Sequence, residues 1–127
     1  MQSIKSSLLK LIDELSYVTE SEYPFELTDW GTKSLEDLRD IFNSLPTPSK
    51  AIVWQDFFEH HVRILKMNND ELSEKAAERY KQLQAFLYKN AESVTVWRSG
   101  KVRVAIYIVV TTSAGQVFVL RTTAVET

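Results

Sequence analysis

The sequence contains no cysteine. That excludes disulfides, thiol catalysis, iron–sulfur clusters and Cys-ligated zinc, and it gives no sign of an oxidising compartment. Three glycines are too few to build a Gly-rich phosphate cradle and still serve ordinary turns. Walker boxes, Rossmann fingerprints and nucleophile elbows are absent. The two histidines, His60 and His61, are adjacent. Neighbours on a strand point to opposite faces, and on a helix they diverge by about 100°, so they make a poor chelating pair. The longest apolar run, Val102 to Val110, is interrupted by Arg103. It falls far short of the ~20 residues of a membrane helix. The first helix candidate carries Lys5 and Lys10 and no apolar run of signal-peptide length, so a cytoplasmic location is the expectation. Basic charge is not in excess either. A net charge of −2 argues against a non-specific nucleic-acid binder, because phosphate affinity comes mainly from Lys and Arg.

What is present fits one domain over residues 1–127, long enough to bury roughly two thirds of its unfolded surface. The apolar fraction of 44% and charged fraction of 25% are ordinary for a soluble globular protein. The charge is unevenly spread. Residues 13–40 hold nine acids against Lys33 and Arg39 and sum to −7, residues 1–12 carry +2, and residues 41–127 carry +3. Two readings are open: a solvated surface with ordinary scatter, or a local negative patch that steers a basic partner.

The hydrophobic pattern predicts an α+β domain. Ile4, Leu8, Leu11, Ile12 and Leu15 form one stripe of a helix from Ser3, its N-cap, to about Ser16. Glu22 to Leu27 is extended, since Pro24 forbids a helix interior and pushes Tyr23 out of the α region. A second helix opens at Ser34, with Asp37 at capping-box spacing and an apolar face of Leu38, Ile41, Phe42 and Leu45. Pro46 and Pro48 stop it. Residues 51–67 are ambiguous: Ala51–Trp54 reads as a buried strand, and the apolar residues after it keep neither period. A long helix runs from Asn69 or Asp70 to about Asn90 on Leu72, Ala76, Tyr80, Leu83 and Leu87, with Asn69 as a cap. Three β-branched strands follow at Val94–Arg98, Val102–Thr111 and Gln116–Val125. Ser99-Gly100 reads as a two-residue turn and Ser113-Ala114-Gly115 as a three-residue one. On the middle strand Val102, Val104, Ile106, Ile108 and Val110 share one face. The opposite face is only partly polar, so helices are expected on both sides of an antiparallel meander.

Catalytic candidates are few. Paired carboxylates are the remaining option for acid–base work: Glu20 and Glu22 sit two apart in an exposed-looking segment, and nothing in the sequence supplies their partners. Trp30, Trp54 and Trp97 are not interleaved with basic residues as single-strand binding requires. Asp13, Glu14 and Glu20 lie at or beyond the end of the first helix, where the helix dipole disfavours negative charge.

Two stretches resemble a known family. Thr19-Glu20-Ser21-Glu22-Tyr23-Pro24-Phe25-Glu26 is similar to the SESEYPFE segment of the bacterial nuclease A inhibitors. Val96-Trp97-Arg98-Ser99-Gly100-Lys101-Val102 is similar to their VYRLGEV hairpin, Thr112-Ser113-Ala114-Gly115 to TPAG, and Ala124-Val125-Glu126-Thr127 to VVET. The likeness covers residues 1–27 and about 78–127, and the middle departs from it. The resemblance implies an α/β/α sandwich with a mainly antiparallel sheet. It implies a non-catalytic inhibitor, without cofactor or metal of its own, that blocks the Mg²⁺ site of a sugar-non-specific ββα-metal endonuclease. Glu20 would imitate the scissile phosphate, and Thr127 would place an oxygen on the partner's magnesium. The candidate partner-binding residues are Glu20, Glu22, Glu26, Asp70, Glu126 and Thr127. The family's second contact is an Asp-Trp pair. Its counterpart here, Met67–Glu71, has Asp70 but no tryptophan, and Asp70 also suits a helix start. The expected species is a monomer that contacts neither nucleic acid nor membrane. The alternative is a non-catalytic binding module of the same fold with a different basic partner.

Overall fold

A computed structural model describes residues 3–18 and 22–126. In chain order the elements are α1 (Ile4–Ile12), β1 (Ser16–Val18), β2 (Glu22–Pro24), β3 (Glu26–Thr32), α2 (Leu35–Asn43), β4 (Ser49–Ile52), α3 (Trp54–Met67), α4 (Glu71–Asn90), β5 (Ser93–Ser99), β6 (Arg103–Thr111) and β7 (Gln116–Val125). Five strands form one antiparallel sheet in the order β3-β7-β6-β5-β4, and β1 pairs with β2 in a small hairpin.

Strand alternation divides the sheet into two faces. Val104, Ile106, Ile108 and Val110 of β6 point to one side, where they meet Leu8 of α1, Phe58 of α3, and Tyr80, Leu83 and Leu87 of α4. Val109 points the other way and joins Val117 and Val119 of β7 beneath Leu38 and Phe42 of α2. The expected α/β/α sandwich is therefore present, with three helices on one face and α2 on the other. The ring of Phe42 stacks on Trp97 of β5 at 4.8 Å. Val102 lies before β6 begins and is exposed, outside the face assigned to it by alternation.

The first helix ends at Ile12, four residues short of its expected end near Ser16. Asp13 caps it and Glu14 takes a positive φ of 62°, which turns the chain toward β1. The terminal carbonyls of α1 are met by a cation from α4: Arg79 donates to the carbonyls of Lys10, Leu11 and Asp13. This offsets the unfavourable placement of Asp13 and Glu14 at a negative helix end. The next residue, Tyr80, donates its hydroxyl to the Ser16 carbonyl at 2.6 Å. Adjacent side chains of α4 thus fix the whole passage from α1 into β1.

The ambiguous stretch 51–67 resolves into β4 and α3. The buried residues of α3 are Phe57, Phe58, His61, Val62 and Leu65, which is helical spacing once His61 is counted among the core positions. On α4 the buried face is Ala77, Tyr80, Leu83 and Leu87, and Leu72 is 80% exposed. Its cap is Asp70, not Asn69, which takes a positive φ of 53° in the turn before it.

The two hairpin turns differ from one another. Thr112 and Gln116 close the expected three-residue loop with a 2.9 Å bond from the Thr112 N–H to the Gln116 carbonyl. The β5–β6 turn is longer than two residues, because Ser99 pairs with Ala105. Gly100 has a φ of +118°, and a Cβ there would stand 2.4 Å from the Arg103 carbonyl oxygen, so only glycine fits.

Candidate functional site

The residues singled out from the sequence divide into three groups. Glu20 and Thr127 lie outside the described residues. Asp70 belongs to a helix start: its carboxylate accepts from the Ser73 N–H at 2.8 Å and from the Ser73 hydroxyl at 2.9 Å. Glu22, Glu26 and Glu126 are exposed residues at the margins of strands.

Tyr23 and Glu26 lie at the same end of the sheet as the close of β7. In the β1–β2 hairpin Tyr17 faces Tyr23 and Val18 faces Glu22, so the residues between, Glu20 among them in sequence, connect the two strands. The Tyr23 hydroxyl accepts from Arg103 Nη2 at 2.9 Å, and the guanidinium carbon stands 5.9 Å from the Tyr23 ring centroid. Arg103 is paired across the sheet with Val125. The Tyr23 carbonyl accepts from the Thr122 hydroxyl at 3.3 Å. Glu26 opens β3 opposite Arg121 of β7. Tyr23 and Glu26 of the octapeptide are therefore anchored beside the strand that leads to Glu126.

Glu126 is itself held. It forms an ion pair with Arg98 of β5, and its N–H donates to the Val102 carbonyl at 2.8 Å. Arg98 also borders a cleft of about 340 Å³ with Tyr17, Ile52, Asp56, Phe57 and His60. Burial pushes the Tyr17 phenol above its usual range, with Arg98 lowering it and Glu126 raising it. Behind this cleft His61 is stacked on Tyr17 at 4.4 Å and edge-on to Tyr80 at 4.7 Å. Its Nε2 has no hydrogen-bond partner among the described residues. Burial, with a smaller contribution from His60, lowers its pKa to about 4, so it is a neutral core residue at pH 7.

The acids of residues 13–40 do not form one patch. Glu22 belongs to a hairpin whose Tyr17 packs on the α3 side, whereas Glu36, Asp37 and Asp40 ride on α2 over the opposite face. Asp37 completes a capping box, accepting from the Ser34 N–H at 3.1 Å while Ser34 Oγ accepts from the Asp37 N–H at 3.1 Å. That bonding holds its carboxyl below the usual carboxylate range. Part of the acidic run therefore serves helix formation. Among the described residues no three His, Asp or Glu side chains are grouped to hold a metal ion.

Comparison with protein families matches residues 2–127 to the nuclease A inhibitor-like proteins. The chain belongs to the nuclease A inhibitor-like family. The match runs through the middle of the chain, including the stretch where the sequence resemblance was weakest. Family membership supports a general role as a nuclease inhibitor, a non-catalytic protein whose partner is a nuclease. Comparison with curated proteins finds no match. Within this family member, Arg98 and Arg103 are the residues that sequence reasoning passed over. Arg103 had one visible signal, as the cation that interrupts an otherwise apolar strand.

Proposed function

We propose that this protein binds a sugar-non-specific ββα-metal endonuclease and blocks its Mg²⁺-dependent active site. The contact is made by the segment around Glu20 and by the residues that follow β7. What supports the reading is the bond from Arg103 to Tyr23, which ties this residue of the octapeptide beside the strand that ends at Val125. Two segments separated by most of the sequence would then enter one cleft together.

The chemistry follows from the partner's metal and substrate. Mg²⁺ takes hard oxygen ligands and keeps exchangeable waters, so an oxygen of Thr127 can replace one. A carboxylate at Glu20 presents negative charge where a phosphate would sit, facing the cationic groups that bind DNA. Glu22 adds charge that speeds encounter with a basic surface more than it adds affinity, whereas the charge of Glu126 is matched by Arg98. Asp70 contributes through its helix, since its described side-chain bonds are spent on Ser73.

Glu20→Gln tests this directly. Losing one charge of a desolvated pair is expected to weaken inhibition by roughly 2 kcal/mol, about thirtyfold, with a salt-sensitive component. Inhibition constants from plasmid digestion at two ionic strengths measure it. Unchanged inhibition would remove Glu20 from the mechanism. Full capture of the nuclease without any loss of its activity would instead favour a binding module of the same fold that serves another purpose.

A further inference from the structure

We infer that Arg98 and Arg103 are positioning residues: they hold Glu126, just after β7, and Tyr23, in β2, in a fixed relative arrangement before a partner arrives. The inference rests on the proposed inhibitory reading and adds to it a device for pre-organisation. The two arginines stand on neighbouring strands, on either side of the turn that requires Gly100. Arg103 reaches 80 residues back along the chain to Tyr23, and Arg98 reaches 28 residues forward to Glu126. Each target is held twice. Tyr23 is bonded at its hydroxyl by Arg103 and at its carbonyl by Thr122. Glu126 is bonded at its carboxylate by Arg98 and at its N–H by the Val102 carbonyl.

Neither arginine belongs to the core. Arg103 is exposed, and the Arg98–Glu126 pair is partly open to water, so its contribution to global stability is small. Geometry is what these residues supply. A planar guanidinium fixes direction as a lysine ammonium does not. A loop and a tail that are free before binding must be ordered on contact, and that ordering subtracts from affinity. Two arginines that fix Tyr23 and Glu126 in advance reduce that cost.

The test has a partner-free arm and an inhibition arm. In the free protein, the ¹H–¹⁵N heteronuclear NOE should fall at Glu126 in Arg98→Ala and at Tyr23 in Arg103→Ala. Tyr23→Phe, which leaves both arginines in place, should reproduce part of the second change. Against a ββα-metal nuclease each arginine variant should lose inhibition by about three- to tenfold with an unchanged melting temperature. Arg98→Lys should recover only part of the loss. The loss from Arg98→Ala should vanish in a Glu126→Ala background, which removes the partner of Arg98 and keeps Thr127. Unchanged NOEs, or an equal loss in the Glu126→Ala background, would overturn the positioning role. Failure of the wild-type protein to inhibit, with the NOE changes present, would overturn the inhibitory reading and leave the restraint itself intact.

Discussion

The two faces of the sheet are built to different depths. Among the described residues, the face under α1, α3 and α4 gathers twenty buried residues in one cluster, and the face under α2 gathers five. Burial of apolar surface is the main favourable term in folding, so most of the stability resides on the thicker side. The thicker side is also where the β1–β2 hairpin docks, through Tyr17 against Phe57 and His61. The strands that flank the segment proposed to meet a partner are therefore docked on the more deeply buried side. The difference teaches that α2 completes the sandwich, while α3 and α4 set the position of the candidate site.

Substitutions on the two sides should differ in size. Phe58→Ala opens a hole among Trp54, Phe57 and Tyr80, and should cost roughly 3–5 kcal/mol in denaturant unfolding. An equal cost for a residue beneath α2 would break the comparison. Acid is the next largest perturbation. His61 has a folded-state pKa of about 4 against an ordinary value near 6.5. Between these values the unfolded chain binds the proton and the folded chain does not, so stability falls as pH drops from about 6.5 to 4. The loss approaches about 3 kcal/mol at the acid end of that window. The groups that pack on His61 are Tyr17 and Tyr80, whose burial raises their pKa values and keeps them neutral there. His61→Phe should flatten this part of the stability–pH curve, and His60→Gln should leave it nearly unchanged.

Leu38→Ala, on the inner face of α2, should cost about 2 kcal/mol, the low end for such a change, because a single covering helix can settle into the space. Leu72→Gln should fall within about 0.5 kcal/mol of wild type, because Leu72 projects into solvent despite its place in the apparent helical stripe. A larger effect there would mean that the thicker face extends to the start of α4.

The legible parts of the fold were those where one period dominates. Alternation on β6 picked out Val104, Ile106, Ile108 and Val110 as one buried face, and Ser34 with Asp37 marked the start of α2. Helix α3 was obscured for two reasons. Val53 gives it no side-chain cap, and a histidine occupies one of its core positions while Ile64 points outward. On α4, adjacent alanines allowed the stripe to be drawn through Ala76 when Ala77 is the buried one. The site was legible only in part. Its acidic and terminal residues came from resemblance in short motifs. The connections from Arg103 to Tyr23 and from Arg98 to Glu126 depend on strand register over long separations, which hydrophobic patterning does not encode.

In the proposed function, the end of the sheet that holds Tyr23 and Glu126 closes a nuclease active site. This is tested most directly by titrating a ββα-metal endonuclease with this protein in a plasmid-digestion assay, alongside a version with residues fused after Thr127. The account predicts loss of nuclease activity at a near one-to-one ratio, and recovery of activity when the fused tail can no longer reach the metal. Equal inhibition by both proteins would contradict the tail mechanism, and digestion unaffected by a molar excess of the unfused protein would contradict the account as a whole.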